Sequence, residues 1–206
     1  MSKVFFDVGV SLDGYIAGPN ARPGNPLGDG GPRIHQWLFE TAFFRERLGM
    51  TGGESSRDDQ MVRRLFDRPG AHVMGRRMFD EGEVGWPEEA PFGAPVFVLT
   101  HNVREPWPRK GGTTFYFATE GMADALERAK TAAKGRDVRV SGGGATIRQF
   151  IQAGLIDDFT LHVAPVILGS GVRLMDHLLP NDLVAEQVDA ISSANVTHIN
   201  YRVRRS

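Results

Sequence analysis

Residues 138–150 read Val-Arg-Val-Ser-Gly-Gly-Gly-Ala-Thr-Ile-Arg-Gln-Phe, and the order of residue types in this stretch decides the fold class. A short β-branched run, Val138 and Val140, passes through three glycines into helical spacing. Ile147, Phe150 and Ile151 fall at i, i+3 and i+4, and Gly154 stands where such a helix would stop. A strand that turns through glycine into a helix start gathers free backbone N–H groups and the positive end of the helix dipole at one spot. Glycine also lets an anion come close. The stretch therefore predicts a phosphate-bearing ligand, the alternative being a plain strand-to-helix turn. Its spacing departs from the common dinucleotide fingerprint: Gly142 and Gly144 fit, but Ile147 holds the third glycine's place.

Outward from that stretch, strands and helices alternate. Residues 4–10 are nearly all apolar, as expected of a central strand covered on both faces. Asp7 interrupts them and reads as a hydrogen-bonded or edge-facing carboxylate rather than a catalytic one. Residues 11–18 read as a turn around Asp13-Gly14, and the Gly- and Pro-rich residues 20–32 as a long lid or binding loop. One helix is predicted over 36–48, with Trp37, Phe44 and Leu48 on one flank, and another over 58–66. Short strands follow at 71–74, 96–99 and 115–118, then a helix at 122–134. Residues 157–164 alternate cleanly, and 184–188 with 196–203 would close the chain as a hairpin. This order predicts one α/β domain over residues 1–206, with right-handed parallel units and antiparallel strands added at the end.

Composition narrows the function. The 206 residues are 41% hydrophobic and 24% charged, with a net charge of -1, so no global field draws the chain to nucleic acid or to a membrane. There is no cysteine, which removes disulfides and thiol nucleophiles. No leader pattern opens residues 1–3 and no apolar run approaches membrane-spanning length, so a cytoplasmic protein is expected. The six histidines lack metal-ligand spacing, and no metal is expected. No Gly-x-Ser-x-Gly elbow is present for acyl transfer.

Three strand ends look alike. Gly75-Arg76-Arg77 follows Met74, Thr100-His101-Asn102 follows Leu99, and residues 141–146 follow Val140. Ligands of open α/β sheets bind outside the carboxyl ends of parallel strands. If these strands are neighbours, their ends offer a guanidinium fork, hydroxyl and imidazole donors and a backbone anion cradle, a set that suits a dinucleotide with an extra phosphate. Taken separately, Arg76 and Arg77 read equally well as a solvated helix start.

With those residues in view, the chain resembles the dihydrofolate reductase-like superfamily. Within it, the likeness is to the reductase domain of the bifunctional riboflavin-biosynthesis deaminase–reductase and its stand-alone relatives. The resemblance runs to about Met175 and rests on five short motifs in order: Ser-Leu-Asp-Gly-Tyr-Ile-Ala at 11–17, Val-Met-Gly-Arg-Arg-Met-Phe at 73–79, Val-Leu-Thr at 98–100, Ser-Gly-Gly-Gly-Ala-Thr at 141–146, and Val-Ala-Pro-Val-Ile-Leu-Gly at 163–169. It implies a three-layer fold with a mixed, mostly parallel central sheet and a C-terminal antiparallel hairpin. It also implies NADPH, with Gly9, Ile16 and Ala17 near the nicotinamide and Gly75, Arg76 and Arg77 at the adenosine phosphates. Thr100 and His101 would lie at the adenosine end, and Gly142, Gly143, Gly144, Ala145 and Thr146 at the pyrophosphate.

The implied activity is that of a 5-amino-6-(5-phosphoribosylamino)uracil reductase, passing hydride to a C=N bond of a pyrimidine-like heterocycle. Asp13, Trp37 and Glu40 are the substrate-side candidates, and the proton donor is unassigned. Two departures stand out. Ala42 occupies the place of the substrate-binding acid of true dihydrofolate reductases, and Arg77-Met78 stands where many relatives have Arg-Thr. A dihydrofolate reductase acting on a pterin is the alternative enzyme, and a non-catalytic nucleotide-binding protein the alternative of another class. The alternating strand at 157–164 and the closing hairpin suggest a sheet edge for a homodimer.

Overall fold

The computed structural model describes residues 2–204. Six strands run parallel through the middle of the main sheet: β1 (Val4–Ser11), β3 (Pro69–Gly75), β4 (Val96–Leu99), β6 (Thr114–Ala118), β7 (Asp137–Gly142) and β8 (Asp158–Ala164). Antiparallel strands extend both sides: β5 (Trp107–Pro108) beside β6, and the hairpin of β10 (Ala185–Ser192) and β11 (Thr197–Val203) beside β8. The order is β10-β11-β8-β1-β7-β3-β4-β6-β5. A small separate sheet pairs β2 (Tyr15–Ala17) with β9 (Val172–Arg173), so the predicted turn at 11–18 also contains a strand. The mixed, mostly parallel sheet and the closing hairpin are as the resemblance implied.

Successive side chains of a strand point to opposite faces, and here the two faces carry different chemistry. On one, Val4 and Phe6, Val73, Val138 and Val140, and Phe159 pack against α5 (Met122–Ala132) and α6 (Gly144–Gln152) in a continuous apolar cluster. Leu126 and Ala129 supply the contact from α5, and Ile147, Phe150 and Ile151 from α6, as their spacing predicted. The other face is covered by a 3-10 turn (Gly31–His35), α1 (Gln36–Phe39), α2 (Ala42–Arg47), α3 (Arg57–Asp67) and α4 (Arg76–Glu83). Toward β4 and β6 this face is apolar, with Phe79 of α4 buried against Met74, Val98 and Phe115. Across its middle it buries Asp7, His72, His162 and His198 instead.

Two expectations are corrected. The single helix over 36–48 is two short ones, because Thr41 is extended (φ −77°, ψ 142°). The backbone of Glu54 pairs there with both Glu40 and Ala42, and the Thr41 hydroxyl donates to the Leu38 carbonyl. Helical periodicity cannot register that competing partner. The strand at 157–164 is also no edge: β8 lies between β1 and β11, and the outer strand is β10.

Local chemistry sets the other boundaries. Ser56 caps α3 by accepting from the Asp59 N–H, with Asp58 and Asp59 in the first turn. Arg68, just past α3, makes a bidentate pair with Asp158 at 2.7 and 2.9 Å and reaches Asp137 at 2.8 Å. It thereby pins the entry ends of β7 and β8 together.

Candidate active site

A cavity of about 1030 Å³ opens at the carboxyl ends of the parallel strands, within reach of the size expected for a cofactor and a small substrate together. Helix N-termini form its rim. Gly75 precedes α4, Gly121 precedes α5 and Gly143 precedes α6, and all three line the cavity. Glycine has no side chain to satisfy the free first-turn N–H groups, which α3 satisfies with Ser56. Several helix starts with open donors facing one space suit an anionic ligand.

The glycines leave room for close approach. A Cβ on Gly143 would meet nothing within 4 Å, so the space beside it belongs to the cavity. One on Gly75 would stand 2.4 Å from Thr146 Oγ1, so the starts of α4 and α6 lie close together there. One on Gly9 would stand 2.8 Å from the His35 ring. The arginines add charge. Arg76 pairs with Asp80 at 2.6 Å and donates to Thr100 Oγ1 at 3.3 Å, tying the ends of β3 and β4. Arg77 pairs with Glu81 at 2.7 Å and reaches the Ala21 carbonyl in the long loop, with its side chain 69% exposed.

All the positions carried over for a cofactor line this one space: Gly9, Ile16, Ala17, Gly75, Arg76, Arg77, Thr100, His101, Gly142, Gly143, Gly144, Ala145 and Thr146. Trp37 joins them, while Asp13 and Glu40 lie outside. Asp13 accepts from Ser11 Oγ at 2.6 Å and from the N–H groups of Gly169 and Leu168. The Ser11 hydrogen bond and those backbone donors hold its carboxyl down to about 2. It fastens the first turn to the loop before β9. Glu40 accepts from Asn195 at the surface, because the break at Thr41 turns it away from the sheet.

The cavity floor holds residues that sequence reasoning passed over as catalytic candidates. Arg139 Nη2 donates to Asp7 Oδ1 at 2.5 Å, both side chains largely buried. Burial alone would raise the Asp7 carboxyl, but the Arg139 guanidinium and the nearby His162 outweigh it and hold it below the ordinary range. Asp7 Oδ2, Arg139 Nε, His162 Nε2 and Trp37 Nε1 are all buried without a hydrogen-bond partner among the described residues. Unsatisfied buried polar atoms are costly, and a cluster of them on a cavity floor marks where a polar ligand belongs. One signal was available in the sequence: Asp7 and Arg139 are charges set inside apolar strands. Beside them His72, hydrogen-bonded to Ser141 at 2.9 Å, is pushed down to about 3 by burial and by the Arg139 charge. Among the described residues no group of three or more His, Asp or Glu is placed to hold a metal ion.

Comparison with known proteins gives the family and the fold. A family model described as the RibD C-terminal domain matches residues 2–197. Two uncharacterized proteins of Bacillus subtilis (strain 168) are similar. YyaP is 24% identical over 173 residues, covering 84% of this chain and 79% of that protein. YwjB is 36% identical over 66 residues, covering 32% and 37%. Among solved structures, a protein provisionally assigned to riboflavin biosynthesis in Shewanella sp. PV-4 superposes with TM-score 0.67 at 24% identity, covering all of both chains. A Thermotoga maritima diaminohydroxyphosphoribosylaminopyrimidine deaminase/5-amino-6-(5-phosphoribosylamino)uracil reductase gives 0.61 at 13%, covering 98% of this chain and 57% of that one. An Enterococcus faecalis dihydrofolate reductase, complexed with NADP(H) and RAB-propyl, gives 0.53 at 14%, covering 98% and 97%. At these identities the structural likenesses establish the dihydrofolate reductase-like fold.

Proposed function

Because the chain belongs to the RibD C-terminal domain family, we propose that it is an NADPH-dependent reductase acting on a C=N bond of a pyrimidine-like heterocycle, in the manner of a 5-amino-6-(5-phosphoribosylamino)uracil reductase. One observation carries this reading: open helix starts and two arginines ring the same cavity whose floor is the buried Asp7–Arg139 pair. That one space would offer a phosphate-rich cofactor and a flat polar substrate the groups that each needs.

Bound NADPH would supply the hydride. The first-turn N–H groups of α6, beyond Gly143, would bind the pyrophosphate, and Arg76 and Arg77 the phosphate on the adenosine ribose. Gly9, Ile16 and Ala17, which line the cavity, would seat the nicotinamide. Trp37 would face the substrate ring, with Asp7 and Arg139 meeting its polar edge. Asp13 and Glu40 drop out of the substrate side.

Titration of the protein with NADPH, followed by nucleotide fluorescence, tests the cofactor, and NADH should bind more weakly. Loss of NADPH absorbance on adding the phosphoribosylaminouracil substrate tests the reaction. Dihydrofolate is the comparison substrate, because Asp7 does place a carboxylate in the cavity although Ala42 carries none. Tight NADPH binding without oxidation by either compound would favour a nucleotide-binding protein without turnover. The free edge of β10 is the surface for the expected homodimer, and a monomeric mass by light scattering would remove it.

A further inference from the structure

Hydride addition to the carbon of a C=N bond leaves the nitrogen in need of a proton. Four side chains form a line that ends at the cavity floor. Asp58 of α3 accepts from His198 Nε2 at 3.1 Å, His198 Nδ1 lies 2.7 Å from His162 Nδ1, and His162 Nε2 lies 3.8 Å from Asp7 Oδ1. Strand register builds this line. Residue 162 of β8 pairs with Gly9 of β1 on one side and with His198 of β11 on the other, so those side chains share a face. Trp37 covers both imidazoles, its ring 5.2 Å from one and 4.8 Å from the other.

The hydrogen bonds dictate the tautomers. A carboxylate at Nε2 keeps the His198 proton on that nitrogen. Burial, and then the neighbouring His162, push His198 down to about 4, so it is neutral near pH 7 and its Nδ1 is bare. Only a proton on His162 Nδ1 fills the 2.7 Å contact. His162 Nε2 is left as the ring position able to gain and lose a proton, unpartnered, in the cavity wall. The groups that face it are Asp7 from β1, with Arg139 behind it on β7, His198 from β11, with Asp58 behind it on α3, and His35 from the 3-10 turn. His35 is itself pushed down to about 4 by burial and by His162. Among the described residues, Asp7 is the carboxylate within 4 Å of that nitrogen.

We infer that His162 is the proton donor of the reduction, with His198 and Asp58 as positioning residues that hold its ring with Nδ1 engaged and Nε2 facing the cavity. The inference rests on the reductase reading above. As hydride reaches the substrate carbon, the C=N π pair moves to nitrogen. The N–H bond at His162 Nε2 breaks as the new N–H bond forms, its electron pair staying on the imidazole. The products are the secondary amine and oxidised nicotinamide, and neutral His162 takes its next proton from water.

Ring-nitrogen NMR of the full chain without ligand is the first test. His162 should carry a proton on Nδ1, and His198 should carry its proton on Nε2. A bare His162 Nδ1 would overturn the inference. The second test is turnover of the phosphoribosylaminouracil substrate. His162→Gln should lower kcat by about 100-fold or more, with the NADPH dissociation constant nearly unchanged. Wild-type kcat in a folded His162→Gln would overturn it as well. Should that core variant not fold, Asp58→Ala at the end of the line frees His198 to change tautomer. It should lower kcat several-fold while mixing the ring-nitrogen signals, and an unchanged pattern with unchanged kcat would count against the line. The expected NMR pattern without any NADPH oxidation would count against the substrate assignment and leave the histidine line standing.

Discussion

The two faces of the central sheet bury different chemistry at the cavity end. The face under α5 and α6 is built of Val, Phe, Ile, Leu and Ala, and each residue there stabilises the fold by leaving water. The face under α1 to α3 places Asp7, Arg139, His72, His162 and His198 side by side, where each must be held by the others. A buried pair such as Asp7–Arg139 is no gain over apolar residues of the same shape, because desolvating two charges offsets their attraction. The difference teaches where selection for stability stops: the polar row runs across the strands at the cavity floor, and among the described residues the opposite face carries no such row.

The sharpest way to break this contrast is to remove half of the pair. Asp7→Ala should cost about 3–5 kcal/mol in urea unfolding by leaving Arg139 buried and unpaired, whereas the double change Asp7→Leu with Arg139→Met should recover most of that loss. A double variant as unstable as the single one would show that the pair supports the fold after all. Phe150→Ala on the apolar face should cost a similar amount with no such rescue.

Acid should separate the faces next. His35, His72 and His198 have folded values near 4, 3 and 4, below their ordinary 6.5. The unfolded chain therefore binds protons first as pH falls, so stability is full above about pH 6.5 and is lost progressively toward pH 4. Each histidine contributes a slope of up to about 1.4 kcal/mol per pH unit. His72→Gln should flatten the dependence by one such increment, measured by unfolding at stepped pH. An unaltered slope would remove His72 from the account.

Smaller effects belong to the rim. Gly143→Ala places a methyl in open cavity space at an ordinary φ of −70°. It should leave the melting temperature unchanged and weaken NADPH about tenfold, roughly 1.4 kcal/mol. Smallest of all, Arg77→Gln removes an exposed charge and should narrow the preference for NADPH over NADH by about three- to fivefold, under 1 kcal/mol by competition binding.

Much of this molecule can be read along the chain. The strand cores, the start of α6 after its glycines, α5, the closing hairpin and the five motifs of the resemblance are local patterns of residue type, and local pattern is what propensity and periodicity report. The glycines, the arginines and the Thr100-His101-Asn102 stretch at three strand ends were legible because each group sits directly after an apolar run. The break at Thr41 was not, since its cause is the backbone of Glu54, thirteen residues on, and Asp13 read as a site residue because a turn carboxylate and a substrate carboxylate look alike until their partners are seen.

The order of apolar runs, glycine turns and helical spacings thus determined the α/β class, the parallel units and the candidate anion cradle, because those features depend on neighbours in sequence. Only the tertiary structure decided that Asp7 meets Arg139, 132 positions away, and that His162 meets His198 and through it Asp58. Strand order and register set those meetings. Burial then gives the charges their meaning, because a carboxylate or an imidazole is an ordinary residue in water and a committed chemical group once water is gone.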